Sequence, residues 1–471
     1  MSVDVIVVGA GLSGLVTAFR IHQAGLRVQV FEAAARTGGV IGSERKEGVL
    51  FERGPNSGMD TTPAINTLLD DLGIRDQRID ASKASSRRYV VRGGHMVALP
   101  TSPGAFIATS LFSWGAKLRL FAEPFIARAP ADVEESIAQF VQRRLGREFL
   151  EYAIEPFVSG IYAGDPGLLS LPAAFPRLHA LEQRHGSLTR GAILGARERR
   201  RGAERPKNSA VSFSFREGFQ TLTDALAAAL PSVACGTRVS GLRREADGTF
   251  AVAFEGATSG EQRARAVVLA VPAYAGAPLV ATLAPEAARA LSEVPYSPVA
   301  VVISAYRRGA VDHPLDGFGV LVPAVERPGM LGSLFSSTMF ENRAATDTAV
   351  FTTFLGGRRD PALAAAPDAE LLRTVQRELT RLVGVSEPPI FNEITRWPRA
   401  IPQYTLGHLQ RIARLAQAER DVPGLYFCAN YRGGVSISDC VIHGEAMAQQ
   451  VAGRLGAATS AVTVRAVKGV A

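Results

Sequence analysis

The chain has 471 residues, of which 47% are apolar and 20% are charged. This length suffices for about three structural units, and the charged fraction is too low for a disordered chain. The 46 glycines follow no Gly-X-Y repeat, which excludes a collagen-like protein.

Lys and Arg outnumber Asp and Glu by 52 to 44, a formal net charge of +8. Such an excess suits an anionic small molecule, an anionic lipid surface or a nucleic acid. Apart from a cluster at 197–205 the arginines are scattered, and aromatic residues do not alternate with them, so we expect no nucleic acid partner. Three cysteines without a C-x-x-C pair and seven dispersed histidines disfavour disulfides, dithiol redox chemistry and a metal site.

No targeting or membrane-spanning segment is expected. The chain enters an apolar strand directly after Met1 and Ser2, which leaves no room for a signal peptide. The longest uncharged run, 266–285, contains Pro272 and Pro278, which do not suit a membrane-spanning helix. We expect a cytoplasmic protein, with peripheral docking on the inner face of the cell membrane as an open alternative.

The chain begins with the pattern of a βαβ unit. The apolar run 3–8 is typical of a parallel strand buried on both faces. The string GAGLSG at 9–14 follows and leads into a helical apolar pattern that ends at Gly25. A second strand over 27–31 ends at Glu32.

The glycines of this unit match a dinucleotide-binding loop. In such a loop Gly9 permits the tight turn, Gly11 lets the backbone approach a pyrophosphate, and Gly14 lets the helix pack against the strand. Glu32, eighteen residues after Gly14, is placed to bind ribose hydroxyls. The pattern predicts a bound dinucleotide with its phosphates at the helix N-terminus.

Further elements follow along the chain. Apolar and basic residues over 101–129 predict amphipathic helices, which form either a helical core or a face that docks on a bilayer. The charged stretch 195–208 predicts a solvated loop. The remaining predicted elements are strands starting at 211 and over 263–271, 300–306 and 349–355, and helices over 221–230 and 439–455.

Two more stretches indicate which dinucleotide is bound. EAAARTGG at 32–39 resembles flavin-dependent oxidases of the amine-oxidase type, in which an arginine and paired glycines extend the FAD site; the alternative is an ordinary turn. GGVSISD at 433–439 precedes a helix whose capped N-terminus suits negative charge. In those flavoenzymes this terminus points at the flavin pyrimidine edge, so FAD would be held by both ends of the chain.

Along nearly its whole length the sequence resembles the oxygen-dependent protoporphyrinogen oxidases, with the bacterial coproporphyrinogen oxidases as close relatives. The strings that carry the resemblance are FERGPNS at 51–57, RY at 88–89, GG at 93–94, ALP at 98–100, GIYAGD at 160–165, GFGVLVP at 317–323, LGG at 355–357 and IPQYTLGH at 401–408.

The resemblance implies an FAD oxidase that converts protoporphyrinogen IX to protoporphyrin IX in heme biosynthesis. Hydride would pass from the porphyrinogen to flavin N5, and molecular oxygen would reoxidise the flavin to give hydrogen peroxide. No side chain is nominated as catalytic, because no paired carboxylates or Cys/His couple appear in the candidate slot. The protein would act by positioning, desolvation and charge stabilisation.

The resemblance also implies which residues form the site. The expected FAD contacts are Gly9, Ala10, Gly11, Leu12, Ser13, Gly14, Glu32, Ala33, Arg36, Gly39, Val40, Gly54, Pro55, Asn56, Ser57, Val239, Trp397, Val435, Ser436 and Ile437. The expected substrate residues are Arg88, Phe318, Gly319, Leu321, Phe354 and Asn56, with Arg88 pairing with a propionate. Without the resemblance, the aromatic and aliphatic members would be read as plain sheet core and Arg88 as a surface charge.

Several alternatives stay open. Mitochondrial-type members carry Arg where this chain has Asn56, so the choice between protoporphyrinogen and coproporphyrinogen is undecided. Another flavin oxidase or desaturase acting on amines or carotenoids is a further candidate, although Tyr431 alone does not make the aromatic cage of an amine oxidase. A non-enzymatic, FAD-free lipid-anchor-binding protein of the same fold is the alternative from another class. A homodimer is also expected as an option.

The fold class expected is α/β, with a Rossmann-like FAD-binding domain of the amine-oxidase type. This domain is discontinuous and takes residues 1–84, 211–285 and 396–471. An α+β substrate domain takes 85–100 and 286–395, and a helical, membrane-associating insert takes 101–210.

Overall fold

The computed structural model describes residues 3–130, 133–191, 194, 211–327 and 329–457. The predicted loop at 195–208, with its arginine cluster at 197–205, lies outside the described residues. Within the described ranges, no helix is long and apolar enough to cross a bilayer.

The elements are numbered in chain order. The strands are β1 (Val3–Val8), β2 (Val28–Phe31), β3 (Ser43–Lys46), β4 (Val49–Glu52), β5 (Gly58–Met59), β6 (Arg78–Asp80), β7 (Arg87–Arg92), β8 (His95–Ala98), β9 (Ser212–Phe215), β10 (Val233–Ala234), β11 (Thr237–Arg244), β12 (Phe250–Gly256), β13 (Gly260–Leu269), β14 (Tyr296–Arg307), β15 (Gly317–Leu321), β16 (Gly332–Phe335), β17 (Thr348–Gly356), β18 (Phe391–Pro402) and β19 (Leu425–Phe427). The helices are α1 (Leu12–Gln23), α2 (Pro63–Asp71), α3 (Pro103–Ala108), α4 (Trp114–Ala122), α5 (Ile137–Arg144), α6 (Arg147–Phe149), α7 (Glu155–Tyr162), α8 (Leu171–Ala174), α9 (Pro176–His185), α10 (Gln220–Ala228), α11 (Ala273–Val280), α12 (Pro285–Ser292), α13 (Ser336–Met339), α14 (Pro361–Ala364), α15 (Asp368–Val383), α16 (His408–Asp421) and α17 (Ile437–Leu455).

The first sheet is built around β1, which pairs in parallel with β2 on one side and β13 on the other. β19 adds to β13 in parallel, β10 extends β2, and β12 and β11 continue antiparallel from β13. Along β1, Val5 and Val7 enter one apolar cluster, and Ile6 and Val8 enter the cluster on the opposite face. Both faces are therefore covered, which explains the unbroken apolar run and confirms the predicted βαβ unit.

The first and last helices of the described chain lie side by side on one face of this sheet. Thr17 Oγ1 in α1 donates a hydrogen bond to the Gly444 carbonyl of α17 at 3.2 Å. A Cβ atom at Gly444 would lie 2.9 Å from the Cβ of Val16, so glycine is what lets the helices approach this closely. The two ends of the chain thus meet beside the dinucleotide loop.

The second sheet has the strand order β18-β14-β17-β16-β15-β7-β8, with one parallel pair, β15 with β7. One of its faces packs against α15 through Leu371, Val375 and Leu379. The predicted strands over 300–306 and 349–355 are confirmed as neighbours in this sheet, within β14 and β17. The α/β fold class is confirmed, while the proposed domain boundaries stay predictions; β18 continues past 396 in the second sheet to Pro402.

The helices predicted over 101–129 are confirmed as α3 and α4. They belong to a helical insert whose core includes Phe112 stacked on Phe149, with ring centroids 4.2 Å apart. Arg144 is fully buried there and pairs with Glu123 and Glu182. Within 101–129 the insert also exposes large apolar side chains, which are Ile107, Trp114, Leu118, Phe121 and Phe125.

Candidate active site

The loop between β1 and α1 is shaped by two glycines that the fold itself requires. Gly9 has a φ of +104°, and a Cβ there would lie 2.7 Å from the Ala270 carbonyl oxygen. A Cβ at Gly14 would collide with the carbonyl of Gly9. Substituting either glycine would therefore disturb the contact between α1 and the sheet.

At Gly11, in contrast, neither the backbone conformation nor the packing of the protein requires a glycine. Its φ of −71° suits any residue, and nothing lies within 4 Å of the position a Cβ would take. It caps α1, whose first residues, Leu12 and Ser13, are buried. The space left free in front of this helix N-terminus fits the phosphates of a ligand.

Glu32 lies at the carboxyl end of β2, facing the same loop. Its Oε2 accepts the backbone N–H of Ala10 at 2.7 Å, and its Oε1 accepts that of Ala34 at 2.8 Å. The Glu32 carbonyl also accepts the N–H of Thr237, which begins β11 and brings Val239 to this edge of the sheet. Ala33, beside Glu32, is exposed.

Arg36 folds back over its own loop. Its Nη1 donates to the carbonyls of Thr37 at 2.9 Å and Ile41 at 2.6 Å, and its Nη2 donates to that of Gly39 at 3.0 Å. A Cβ at Gly39 would lie 3.4 Å from the Cα of Gly11, so this loop borders the phosphate space. The arrangement shows Arg36 supporting the loop, and its direct contact with a ligand stays a prediction.

The segment that contains Gly54, Pro55 and Ser57 follows β4. A Cβ at Gly54 would collide with the carbonyl of Val40, so the segment runs directly against the preceding loop. Val40 itself is exposed.

Asn56 connects this segment to the second sheet. Its side chain is only 7% exposed, and its Nδ2 donates to Thr352 Oγ1 of β17 at 3.2 Å. The amide oxygen Oδ1 is buried without a partner among the described residues. A buried acceptor left in this state marks a place where a ligand donor would bind.

Trp397 and the C-terminal loop adjoin the same segment. Trp397 Nε1 donates to the carbonyl of Arg53 at 2.7 Å. Ser438, in the first turn of α17, donates its hydroxyl to the carbonyl of Met59 at 2.6 Å. These two bonds hold the segment 53–59 between β18 and the start of the last helix.

The start of α17 is a capping box. Ser436 Oγ accepts the N–H of Asp439 at 3.2 Å, and the Asp439 carboxylate accepts the N–H of Ser436 at 3.3 Å. Val435 packs against the core of the helical insert, and Ile437 is buried on the sheet side. The structure therefore brings the 9–14, 32–40, 54–57 and 435–437 stretches to one edge of the first sheet.

Two of the predicted substrate positions, Leu321 and Phe354, lie on a strip across the second sheet. Leu321 of β15 pairs with Gly332 of β16, which pairs with Phe354 of β17. Residues paired in this way share a face, so the Leu321 and Phe354 side chains lie on the same face, on either side of Gly332. Thr352, two residues from Phe354, shares this face and holds Asn56. This strip is the apolar face that approaches the cofactor segment.

Gly319 interrupts β15 with a φ of +151° and a register shift. Next to it, Phe318 packs against the small buried cluster of Ile79, Met339 and Phe340, as does Leu334, whose backbone pairs with Thr352. The guanidinium carbon of Arg88 lies 5.1 Å from the centre of the Phe318 ring. The irregularity at Gly319 therefore brings Phe318 under a cation.

The Phe318 ring is the contact that the structure shows for the Arg88 guanidinium. Among the described residues, the guanidinium makes no hydrogen bond or ion pair. The side chain is exposed as a whole, yet partial desolvation lowers the pKa of its guanidinium. Arg88 is thus available at the edge of the apolar strip to bind a carboxylate.

Gly332 and Thr352 were not predicted as site residues. Thr352 could have been found, because alternation along β17 places it on the face of Phe354. Gly332 carried no sequence signal, since its place between Leu321 and Phe354 depends on the order of three strands.

The family of flavin-containing amine oxidoreductases matches residues 12–452. The chain belongs to this family. A protoporphyrinogen oxidase 2 of Arabidopsis thaliana, chloroplastic and mitochondrial, is 34% identical over 93% of the chain and 92% of its own length. A coproporphyrinogen III oxidase of Bacillus subtilis (strain 168) is 28% identical over 94% of the chain and 96% of its own length. A solved protein from Exiguobacterium sp. 255-15 shares the fold, with a TM-score of 0.79, 24% identity and coverage of 96% and 99%.

The chain is therefore a flavin-dependent oxidoreductase, and its residues fit a flavin. Gly11 leaves space at a helix N-terminus, and Asn56 Oδ1 is a buried acceptor in need of a donor. A bound flavin supplies two-electron oxidation of a substrate. The chain's own part would be to bind and orient the flavin and its substrate, with Trp397, the 435–437 turn and the Leu321–Gly332–Phe354 strip as the candidate contacts.

Proposed function

We propose that this protein is an FAD-dependent oxidase that converts protoporphyrinogen IX to protoporphyrin IX, with molecular oxygen as electron acceptor and hydrogen peroxide as product. The observation that carries the proposal is the 34% identity, over 93% of the chain, with a relative named for this activity. The apolar strip ending at Arg88 supports it, because a porphyrinogen is a large apolar ring with carboxylates at its rim.

The candidate cofactor edge favours FAD over a mononucleotide because it offers a place for a pyrophosphate and, beyond it, a place for a ribose. The free space at Gly11 suits a pyrophosphate, and the carboxylate of Glu32 lies beyond it, where a ribose would be held. The cofactor released by denaturing the purified protein should co-migrate with FAD in chromatography. FMN in its place would contradict this assignment, and a colourless protein that takes up no flavin would contradict the oxidase altogether.

The substrate is tested by supplying protoporphyrinogen and coproporphyrinogen separately. Porphyrin fluorescence, oxygen uptake and peroxide are followed in the same samples. We expect faster turnover of protoporphyrinogen, with three molecules of oxygen consumed and three of peroxide formed per porphyrin, because the ring loses six electrons. Absence of turnover with both would contradict the proposal.

Coproporphyrinogen is the second candidate, and one observation favours it. The Bacillus subtilis relative named for that activity is 28% identical over 94% of the chain. Coproporphyrinogen carries more carboxylates than protoporphyrinogen, however, and Asn56 offers an amide where mitochondrial-type members have a second cation. A preference for coproporphyrinogen in the paired assay would assign the chain to this activity.

An amine substrate is less well supported. Tyr431, the aromatic residue nearest in sequence to the C-terminal motif, is 1% exposed and packs in the core of the first sheet. It does not contribute to an aromatic cage around a substrate amine. Amines should therefore not reduce the flavin of the purified protein.

We also propose that the helical insert docks on the cytoplasmic face of a membrane. Trp114, Leu118, Phe121 and Phe125 are all more than half exposed, and Phe121 and Phe125 reach 77% and 83%. The first three recur at helical spacing along α4, which gives it an uncovered apolar face. A homodimer stays a prediction.

Docking is tested by flotation with anionic liposomes. Phe112 lies within the amphipathic stretch 101–129 but is the wrong position for the test, because it is only 5% exposed and stacks on Phe149. Phe121→Asp and Phe125→Asp should abolish flotation. Ile390→Asp is the control, because Ile390 is 48% exposed and lies next to β18 of the second sheet. Equal flotation of all variants would contradict docking through α4.

A further inference from the structure

The loop that precedes α17 is held by side chains from another part of the chain. Tyr404 Oη donates a hydrogen bond to the carbonyl of Asn430 at 2.6 Å and accepts the backbone N–H of Gly434 at 2.9 Å. His408 Nε2 lies 2.9 Å from the carbonyl of Tyr431. Because a carbonyl can only accept, His408 carries its proton on Nε2 and donates. Two side chains thus fix three backbone groups within 430–434.

Tyr404 and His408 form one rigid unit. Their rings are stacked, with centroids 4.2 Å apart and planes 11° apart, and each residue is only 2% exposed. The Tyr404 ring also approaches Tyr162 of the helical insert at 5.7 Å, and its carbonyl accepts the N–H of Ser170. The unit follows directly after β18, the strand that carries Trp397.

The loop needs outside support because its own backbone is permissive. Gly433 and Gly434 have φ values of +86° and +132°, which only glycine adopts readily. From α17, His443 Nε2 lies 3.0 Å from the Gly433 carbonyl. Without the Tyr404 and His408 bonds, the two adjacent glycines would leave the backbone that leads into Val435 and the α17 cap less constrained.

We propose that Tyr404, with His408 behind it, is a positioning residue for the flavin: its hydroxyl fixes the loop that sets Val435, Ser436 and Ile437 against the cofactor. The inference rests on the proposed flavin site. It also gives Tyr404 a coupling role, because a single side chain connects the helical insert, the end of β18 and the cofactor loop.

The test compares Tyr404→Phe with Tyr162→Phe. Tyr404→Phe keeps the stacked ring and removes both hydrogen bonds to the loop. Tyr162→Phe removes a hydroxyl from the same aromatic cluster, where it donates to the carbonyl of Ala174 at 3.3 Å and makes no hydrogen bond to the described residues 430–434. Apoprotein melting temperature, the dissociation constant for FAD, the flavin absorbance bands and the flavin midpoint potential are measured for both.

We expect Tyr404→Phe to weaken FAD binding about ten-fold or more and to shift the absorbance bands and the potential, because a partly buried acceptor and a partly buried donor lose their partners. Tyr162→Phe should leave all three flavin readouts at wild-type values. Equal flavin readouts in the two variants would overturn the inference, whereas a wild-type protein that binds no flavin would overturn the proposed function instead.

His408 gives an independent test if Tyr404→Phe folds poorly. His408→Gln retains an N–H donor for the Tyr431 carbonyl, and His408→Leu does not. We expect flavin affinity and spectrum close to wild type in the Gln variant and changed in the Leu variant. Identical flavin readouts in the two would contradict a positioning role for this pair.

Discussion

Comparing alanine substitutions at Gly11 and Gly14 distinguishes a glycine required by a ligand from a glycine required by the fold. The Gly11 substitution adds a methyl group at a φ of −71° with nothing within 4 Å, so it should change the stability of the apoprotein by less than about 1 kcal/mol. The same substitution at Gly14 drives a methyl group into the carbonyl of Gly9 and to within 2.9 Å of the Ala270 Cβ. Overpacking of this kind costs about 1–3 kcal/mol or more.

For FAD affinity the order is reversed: Gly11→Ala should have a large effect although it barely changes the stability of the apoprotein. In Gly11→Ala the methyl group occupies space that we assign to the pyrophosphate, which moves the phosphates away from the N-terminus of α1. Loss of one charge-assisted hydrogen bond costs about 1.5–3 kcal/mol, which corresponds to a ten- to hundred-fold larger dissociation constant for FAD.

Two measurements on apoprotein decide the matter: the melting temperature and a fluorescence titration with FAD. Gly11→Ala should melt like wild type and bind FAD weakly, and Gly14→Ala should melt early. If Gly11→Ala binds FAD as tightly as wild type, the space in front of Gly11 does not hold the phosphates and this part of the cofactor assignment is wrong.

Three further predictions follow from single side chains. Arg88→Ala should raise KM for the porphyrinogen about ten-fold or more, because it removes a charged hydrogen bond. Arg88→Lys should recover only part of this loss, because lysine lacks the planar fork of the guanidinium. An unchanged KM in steady-state kinetics would remove Arg88 from the site. Burial lowers the pKa of His408 from 6.5 to about 4, so the unfolded chain binds a proton that the folded chain does not as the pH falls from 6.5 to 4. The unfolding free energy of the wild type should therefore drop by about 3 kcal/mol between pH 6.5 and pH 4 because of His408. His408→Gln should lack this contribution, and denaturant titrations that show the same pH dependence in the variant as in the wild type would refute the assignment. Arg343→Met should lower the unfolding free energy by about 3–5 kcal/mol because it leaves the buried Glu52 carboxylate, 3.0 Å from Nη1, uncompensated; the added Glu52→Gln change should restore much of the loss, and an equally unstable double variant would contradict the cause.

The cofactor edge was predictable from the sequence because its signals are local. The run 3–8, the loop 9–14 and the acid at Glu32 lie within one short βαβ unit, and pairing β1 with β2 in parallel places them together by geometry alone. The same holds for the Ser436 cap, which needs only Asp439 three residues later.

The substrate face was not predictable in this way. Asn56 contacts Thr352 across 296 residues of sequence, and the Leu321–Gly332–Phe354 strip exists only because β16 lies between β15 and β17. Alternation along one strand assigns faces within that strand but does not give its neighbours. The insert shows the same limit, since Phe112 and Phe121 belong to one amphipathic pattern and only tertiary packing buries the first and exposes the second.

The high glycine content noted in the sequence can now be divided by cause. Among the described glycines, most have a positive φ or a neighbour within 4 Å of the Cβ position; Gly11, Gly104, Gly309 and Gly453 have neither. The last three are exposed on the surface, where a missing side chain requires no explanation. Gly11 is half-buried at the edge where four separate stretches of the chain meet. Neither backbone conformation nor packing requires a glycine there, whereas the close approach of a ligand would, so its substitution is the sharpest probe of the proposed cofactor site.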